Sequence, residues 1–253
     1  MTSDVLVSFS LYGTDPEDVY YRGAVWNSKI YADWQPSWSL RFYCGDSVPD
    51  SVKKDIVAHN DKASIVEVHG PENASATTWR FGAVDPCESF GAIIFRDCDS
   101  RPIERERRAV EEWLAEDPKQ YRFHVMRDHP WHARPMLAGL WGIRTPAYHD
   151  IFRRGIVEHG DHPWQIDQDI LYKKVWPVAR RYVLSHVGCM RLYERIDMRR
   201  PFPVPREEKR FVGQGFYGDG RIRFPGHEDM VEPDSHLFVR NRRVFLRKYD
   251  GTY

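Results

Sequence analysis

No apolar run in the sequence approaches membrane-spanning length, so a soluble protein is expected. Net charge is missing as well: Lys plus Arg and Asp plus Glu number 37 each, which gives no field that favours nucleic acid or an acidic partner. The N-terminus offers only the short run Val5 to Phe9, preceded by Asp4 and no basic residue, and reads as a first strand and not as a signal peptide. The four cysteines, Cys44, Cys87, Cys98 and Cys189, show neither metal-ligand spacing nor a disulfide framework. A reducing, cytoplasmic compartment is therefore expected. There is no Gly-x-x-x-x-Gly-Lys loop and no plain glycine-rich turn after the first strand, which excludes a P-loop phosphate cradle. Repeats and low-complexity linkers are absent too.

What is present is alternation. Val5–Ser10, Ser39–Tyr43, Ser64–Val68 and Ala92–Phe95 read as buried strands. Between them, Glu17–Trp34 and Val48–His59 carry apolar residues at helical intervals, and Thr77–Ala83 reads as a short helix. This predicts an α/β fold with a mostly parallel sheet flanked by helices. Further on, Ser100 is placed to cap a helix with Pro102 in its first turn. Arg122–Met126 reads as a strand, and Pro146–Val157 and Trp164–Trp176 as helices. After Pro201–Pro205 the pattern weakens into an irregular C-terminal cap. At 253 residues, with 14% aromatics and nine Trp, one large domain is expected. Its halves would be residues 1–100 and 101–190, with 191–253 as the cap.

Two acidic constellations stand out. Asp97 and Asp99 follow the apolar strand Ala92–Phe95, where open α/β sheets gather their ligands. A carboxylate pair there can hold a hard divalent cation that bridges phosphates, although an Asp-x-Asp also suits any strand-to-helix turn. The second is Asp167-Gln168-Asp169-Ile170-Leu171 near the start of a helix, where acidic residues also stabilise the N-terminus. On a helix Asp169 points nearly opposite Asp167, so the three polar side chains cannot all serve one site.

Together with Ala138-Gly139-Leu140-Trp141-Gly142-Ile143, these stretches occur in the order seen in GT-A-fold, metal-dependent nucleotide-sugar glycosyltransferases. The Asp-Gln-Asp-Ile-Leu stretch resembles that of the retaining family containing glycogenin and bacterial lipooligosaccharide galactosyltransferases. More broadly, Val5 to Trp141 resembles small bacterial and viral proteins of that superfamily. The resemblance implies a GT-A-like, Rossmann-type sheet, and Asp97 and Asp99 as ligands of Mn2+ or Mg2+. It places Gln168 beneath the anomeric carbon with Asp167 or Asp169 beside it, and so favours retention over inversion. The glycines at 139 and 142, with Trp141, would border donor and acceptor and leave room for the sugar. Ser8 and Arg80 join Asp97 on the nucleotide-sugar side, and Arg80 can equally pair with a carboxylate at the core edge. A histidine followed by glycine is the third metal ligand of that family. His186 before Val187-Gly188 fits best, at a shorter gap than usual, with His227 and His236 as competitors.

A third constellation, Met126 to His132, reads as an acceptor-binding loop in which Trp131 stacks on a sugar and Asp128 and His129 meet hydroxyls; a solvated turn is its plain alternative. The basic cluster Arg240, Arg242, Arg243, Arg247 and Lys248, with Asn241 among them, can meet phosphates or be a solvated charge run. The leading expectation is transfer of a sugar from a nucleoside-diphosphate-sugar to a glycan, small-molecule or other hydroxyl acceptor, in glycan or polysaccharide synthesis. Alternatives are a metal-dependent nucleotidyl- or phosphotransferase, a viral or phage enzyme glycosylating modified DNA bases, and a carbohydrate-binding protein without catalysis. The neutral chain gives no strong nucleic-acid signal.

Overall fold

A computed structural model describes residues 4–85, 90–188, 193–231, 237–240 and 243–246. Cys87, Cys189, His236, Asn241, Arg242, Arg247 and Lys248 lie outside the described residues. The element order is β1 (Val5–Leu11), α1 (Tyr20–Trp34), β2 (Ser39–Cys44), α2 (Asp50–Ala58), β3 (Ala63–Glu67), a 3-10 stretch (Ala74–Ala83), and β4 (Ala92–Phe95). Then come α3 (Glu104–Ala115), β5 (Phe123–Arg127), β6 (Trp141–Arg144), α4 (Tyr148–Phe152), α5 (Ile166–Ile170), β7 (Val183–Val187) and β8 (Arg199–Arg200). These strands form one sheet in the order β3-β2-β1-β4-β6-β5-β7-β8. All neighbours are parallel except at β6, which runs antiparallel to β4 and β5. The fold is thus α/β, a GT-A-like, Rossmann-type mostly parallel sheet flanked by helices. β9 (Leu237–Arg240) and β10 (Arg243–Leu246) make a separate antiparallel pair that carries Arg240 and Arg243 of the basic cluster.

The period-2 geometry of the central strands divides the core. Val5, Val7, Phe9 and Leu11 of β1 and Ala92 and Ile94 of β4 face one apolar layer with Ala24, Ile56 and Trp113 of α1, α2 and α3. Leu6, Ile93 and Phe95 face the other layer, with Trp79 and Phe81 of the 3-10 stretch and Tyr148 and Ile170 of α4 and α5. Being covered on both faces, β1 and β4 are nearly continuous apolar runs.

Several local expectations are corrected. The helix predicted over Pro146–Val157 shrinks to five residues, Tyr148–Phe152. Ser100 does not cap α3, whose N-cap position is Ile103; its hydroxyl instead donates to the Asp97 carbonyl at 3.1 Å and closes the acidic turn. The predicted helix Trp164–Trp176 starts at Ile166 and passes through a π-helical turn, Leu171–Val175, into a last short α-helix, Trp176–Ala179. Pro177 has no N–H for the Lys173 carbonyl, so the widened turn sits where a regular ladder has no donor.

Candidate active site

The C-terminal ends of β1, β4, β5 and β7 and the N-terminal end of β6 meet at one edge of the sheet. A cavity of about 670 Å3 opens there. Its walls come from the loop after β1 (Ser10 to Thr14), the 3-10 stretch (Ala74, Thr77, Arg80), the acidic turn Asp97 to Asp99, the loop after β5 (Trp131 to Leu137) and the start of α5 (Trp164 to Gln168).

The loop after β1 is tied down by carboxylates. Asp15 accepts from the backbone N–H groups of Val19, Tyr20 and Tyr21 at 2.9, 2.6 and 2.7 Å, so the free amides at the start of α1 are satisfied. Glu72 accepts from the Gly13 N–H at 2.6 Å and from the Ser47 N–H at 2.8 Å and its hydroxyl, which hold its carboxyl below the usual range although burial opposes this. Gly23 lets α1 press against the acidic turn: a Cβ there would lie 2.1 Å from the Cys98 carbonyl oxygen.

Arg80 is the electrostatic hinge of the cavity. Its guanidinium donates to the Arg96 carbonyl at 3.0 Å, pairs with Asp97, and reaches Asp167 at 3.1 Å. Burial disfavours its charge, but Asp97 and Asp167 outweigh it and hold the group above its ordinary pKa. Asp167 is buried, and desolvation raises its carboxyl pKa despite Arg80. Asp99 is raised too, by burial first and by the Asp97 charge second. Arg223 opposes that rise: it donates to Asp99 at 2.7 Å and to the Tyr20 hydroxyl at 2.8 Å. Arg223 belongs to a strap over the turn, joined to it by the Phe216 N–H to the Asp99 carbonyl at 2.8 Å.

Of the residues expected from sequence, Arg80, Asp97, Asp99, Trp131, Asp167 and Gln168 line this cavity. Gln168 lines it with its amide engaged: the nitrogen donates to the Met136 carbonyl and the oxygen accepts from the Ala138 N–H, both at 3.1 Å. Asp169 turns outward to Arg134 at 3.2 Å and Lys173 at 3.3 Å. Gly139 leaves room for Asp97 and not for a sugar, since a Cβ would fall 2.0 Å from the Asp97 Oδ2.

The rest lie elsewhere. Ser8 is fully buried, its hydroxyl donating to the Arg80 carbonyl at 2.8 Å. Trp141 is a core residue, stacked on Phe95 with ring centroids 4.2 Å apart, and a Cβ at Gly142 would meet the Trp113 ring at 3.0 Å. Asp128 is a buried hub: it accepts two bonds from Arg105 at 3.0 Å, one from Arg206 at 2.6 Å and one from the Val212 N–H at 3.0 Å. His129 is buried between Phe211 and His227, accepting from the Trp131 N–H at 3.1 Å and donating to the His227 carbonyl at 2.9 Å. His186 is fully buried on β7, 2.8 Å from His124 and 3.4 Å from Glu112. It is therefore no ligand beside Asp97 and Asp99, and His227 stacks on Phe224 and lies tilted against Trp131 instead. Tyr12, Arg134, Trp164, Gln165 and Arg223 were not anticipated. The only early signal among them was Trp164-Gln165 directly before Ile166-Asp167-Gln168.

Among the described residues no group of three or more His, Cys, Asp or Glu side chains is placed to hold a metal. A divalent cation that keeps water and phosphate ligands needs only one or two carboxylates, however. Asp97 and Asp99 suit such a cation: each uses one oxygen on a guanidinium, and positive charge would offset the burial and, second, the Asp97 charge that raise Asp99.

No protein-family model matches the chain, and no curated protein does. Among solved structures it is similar to a glycosyltransferase involved in glycosylation of the major capsid of PBCV-1, with 15% identity, 73% of this chain and 82% of the other covered, and a TM-score of 0.46. It is also similar to glucosyl-3-phosphoglycerate synthase from Mycobacterium tuberculosis, in complex with Mn2+, UDP and phosphoglyceric acid (12%, 73% and 68%, 0.46). A third is 4-diphosphocytidyl-2C-methyl-D-erythritol synthase from Anaerococcus prevotii (8%, 74% and 89%, 0.46). Similarity at this level decides neither donor nor reaction. No helix among the described residues is long and apolar enough to cross a membrane.

Proposed function

We propose that this protein transfers a sugar from a nucleoside-diphosphate-sugar to a hydroxyl acceptor. The observation that carries the reading is the Asp97–Arg80–Asp167 bridge, which joins the acidic turn beyond β4 to the start of α5 across one cavity. In the reaction the anomeric C–O bond to the diphosphate breaks and the nucleoside diphosphate leaves with the electron pair. A C–O bond to the acceptor forms, and the acceptor's proton passes to the departing phosphate or to water. Asp97 and Asp99 would hold Mn2+ or Mg2+, which when bound supplies positive charge against the leaving diphosphate. Arg80 fixes Asp97 and Asp167 in place. Asp167 presents a buried carboxyl for sugar hydroxyls, and Gln168 positions the segment Met136–Ala138 through both ends of its amide. Because Gln168, and not the outward-facing Asp169, borders the cavity with Asp167, the reading includes retention of configuration. In this reading residues 1–100 serve the nucleotide and 101–190 the acceptor and the catalytic groups. The buried free thiols Cys44 and Cys98 suit a reducing, cytoplasmic setting.

The test is calorimetry of UDP, GDP and CDP with and without Mn2+ on the wild type and Asp99→Asn. Cation-dependent binding of one nucleotide by the wild type, lost at least tenfold in the folded variant, is expected. Equal affinity in both proteins removes the acidic turn from the site. Proton NMR of the first-formed product reads its anomer, and inversion would pass the leading role to a carboxylate base.

A further inference from the structure

Two of the most exposed large apolar side chains among the described residues, Trp164 at 80% and Trp131 at 65%, both line the wall of this one cavity. An exposed indole is unremarkable alone, but two converging on a polar cavity from separate loops form a binding surface. Trp131 and the backbone beside Trp164 are held in place. Trp131 lies against the His227 ring at 4.9 Å, and its backbone N–H donates to His129 at 3.1 Å. Trp164 is followed by Gln165 in the left-handed region (φ 69°), a conformation costly for a residue with a Cβ. The strain is kept by a cross-link: Arg134, three residues after Trp131, donates to the Gln165 side-chain oxygen at 3.1 Å and to Asp169 at 3.2 Å.

That cross-link also sets the charge of the rim. Arg134 is held on one oxygen of Asp169 and Lys173 meets the other at 3.3 Å, so two cations share one carboxylate and both are engaged by it. Beside the aromatic faces and neutral hydrogen-bonding groups, the cavity wall carries the carboxylates of Asp97, Asp99 and Asp167, which oppose an anionic acceptor. The flat C–H face of a pyranose packs on an indole while its hydroxyls stay wet, whereas a phosphorylated or carboxylated acceptor would need an unpaired cation. We propose that Trp131 and Trp164 form the acceptor subsite, and that its ligand is a neutral pyranosyl glycan. This rests on the reading of the cavity as a sugar-transfer site.

The experiment probes the intact protein with immobilised neutral, sialylated and phosphorylated oligosaccharides, and titrates the captured class in solution by saturation-transfer NMR. Trp164→Ala and Trp131→Ala are compared with the wild type, and calorimetry of nucleoside diphosphate with Mn2+ runs alongside. Capture of neutral glycans, weakened tenfold or more by Trp164→Ala with nucleotide affinity within twofold of the wild type, is the expected result. Preference for acidic glycans, unaltered capture by both variants, or nucleotide binding without any glycan capture overturns the proposal. If the wild type binds glycans through these indoles but no nucleotide, the subsite stands and the transfer reading fails.

Discussion

Replacing Arg80 by Met tests the bridge at the centre of the cavity. The guanidinium is 5% exposed and serves two carboxylates of unequal burial: the Asp97 side chain is 47% exposed, the Asp167 side chain 9%. When the charge is removed, water can take over at Asp97, but Asp167 is left buried without its partner. Breaking a buried pair from one side costs about 3–5 kcal/mol, and most of that cost should reside in Asp167. The sign of the pH dependence follows. Burial already raises the Asp167 pKa, and losing Arg80 raises it further. The folded variant then holds a proton that the unfolded chain releases near pH 3.9. Its deficit is therefore small at low pH and grows as pH rises toward the folded pKa, by up to about 1.4 kcal/mol per unit. Arg80→Met/Asp167→Asn removes the stranded charge and should recover about 2 kcal/mol at neutral pH. Urea unfolding of the wild type, both single variants and the double variant between pH 5 and 8 measures all of this. A loss below about 1 kcal/mol for Arg80→Met, flat with pH and not rescued by Asp167→Asn, refutes the bridge.

Other expectations follow from the same geometry. Gly139→Ala places a methyl group 2.0 Å from the Asp97 carboxylate oxygen; it should cost about 1–3 kcal/mol and weaken nucleotide binding, read by thermal melts and calorimetry. Trp141→Ala, in the core against Phe95, should lose about 3–5 kcal/mol in urea titration, whereas the exposed Trp164→Ala should stay within about 0.5 kcal/mol. His124 and His186 are buried and their pKa values are pushed down, first by desolvation. The unfolded chain takes up their protons below about pH 6.5 while the folded one resists, so stability falls as pH drops, by up to about 1.4 kcal/mol per unit for each. A double His124→Gln/His186→Gln variant that melts with an unchanged acid slope between pH 7 and 5 would contradict this.

The sequence by itself determined β1 to β5, though not the antiparallel β6 or the edge strand β8. Apolar runs such as Ala92–Phe95 are legible because a strand covered on both faces needs no polar alternation, and the carboxylates after it mark the edge where ligands gather. Asp97 and Asp99 are legible as a pair because strand and turn adjoin in sequence. Only the tertiary structure decided which other residues reach them. Arg80 comes from the 3-10 stretch, Arg223 from the strap and Asp167 from α5; no local pattern records a pairing across so many residues. Residues with the right chemistry were misplaced for the same reason. His186 and Trp141 sit on strands whose residues alternate between faces but are buried on both, and neighbouring layers determine that each is core. Asp128 has a carboxylate able to meet hydroxyls, yet Arg105 and Arg206 arrive from distant segments and use its lone pairs. Charges find their partners through space, and a one-dimensional chain records only which charges it carries.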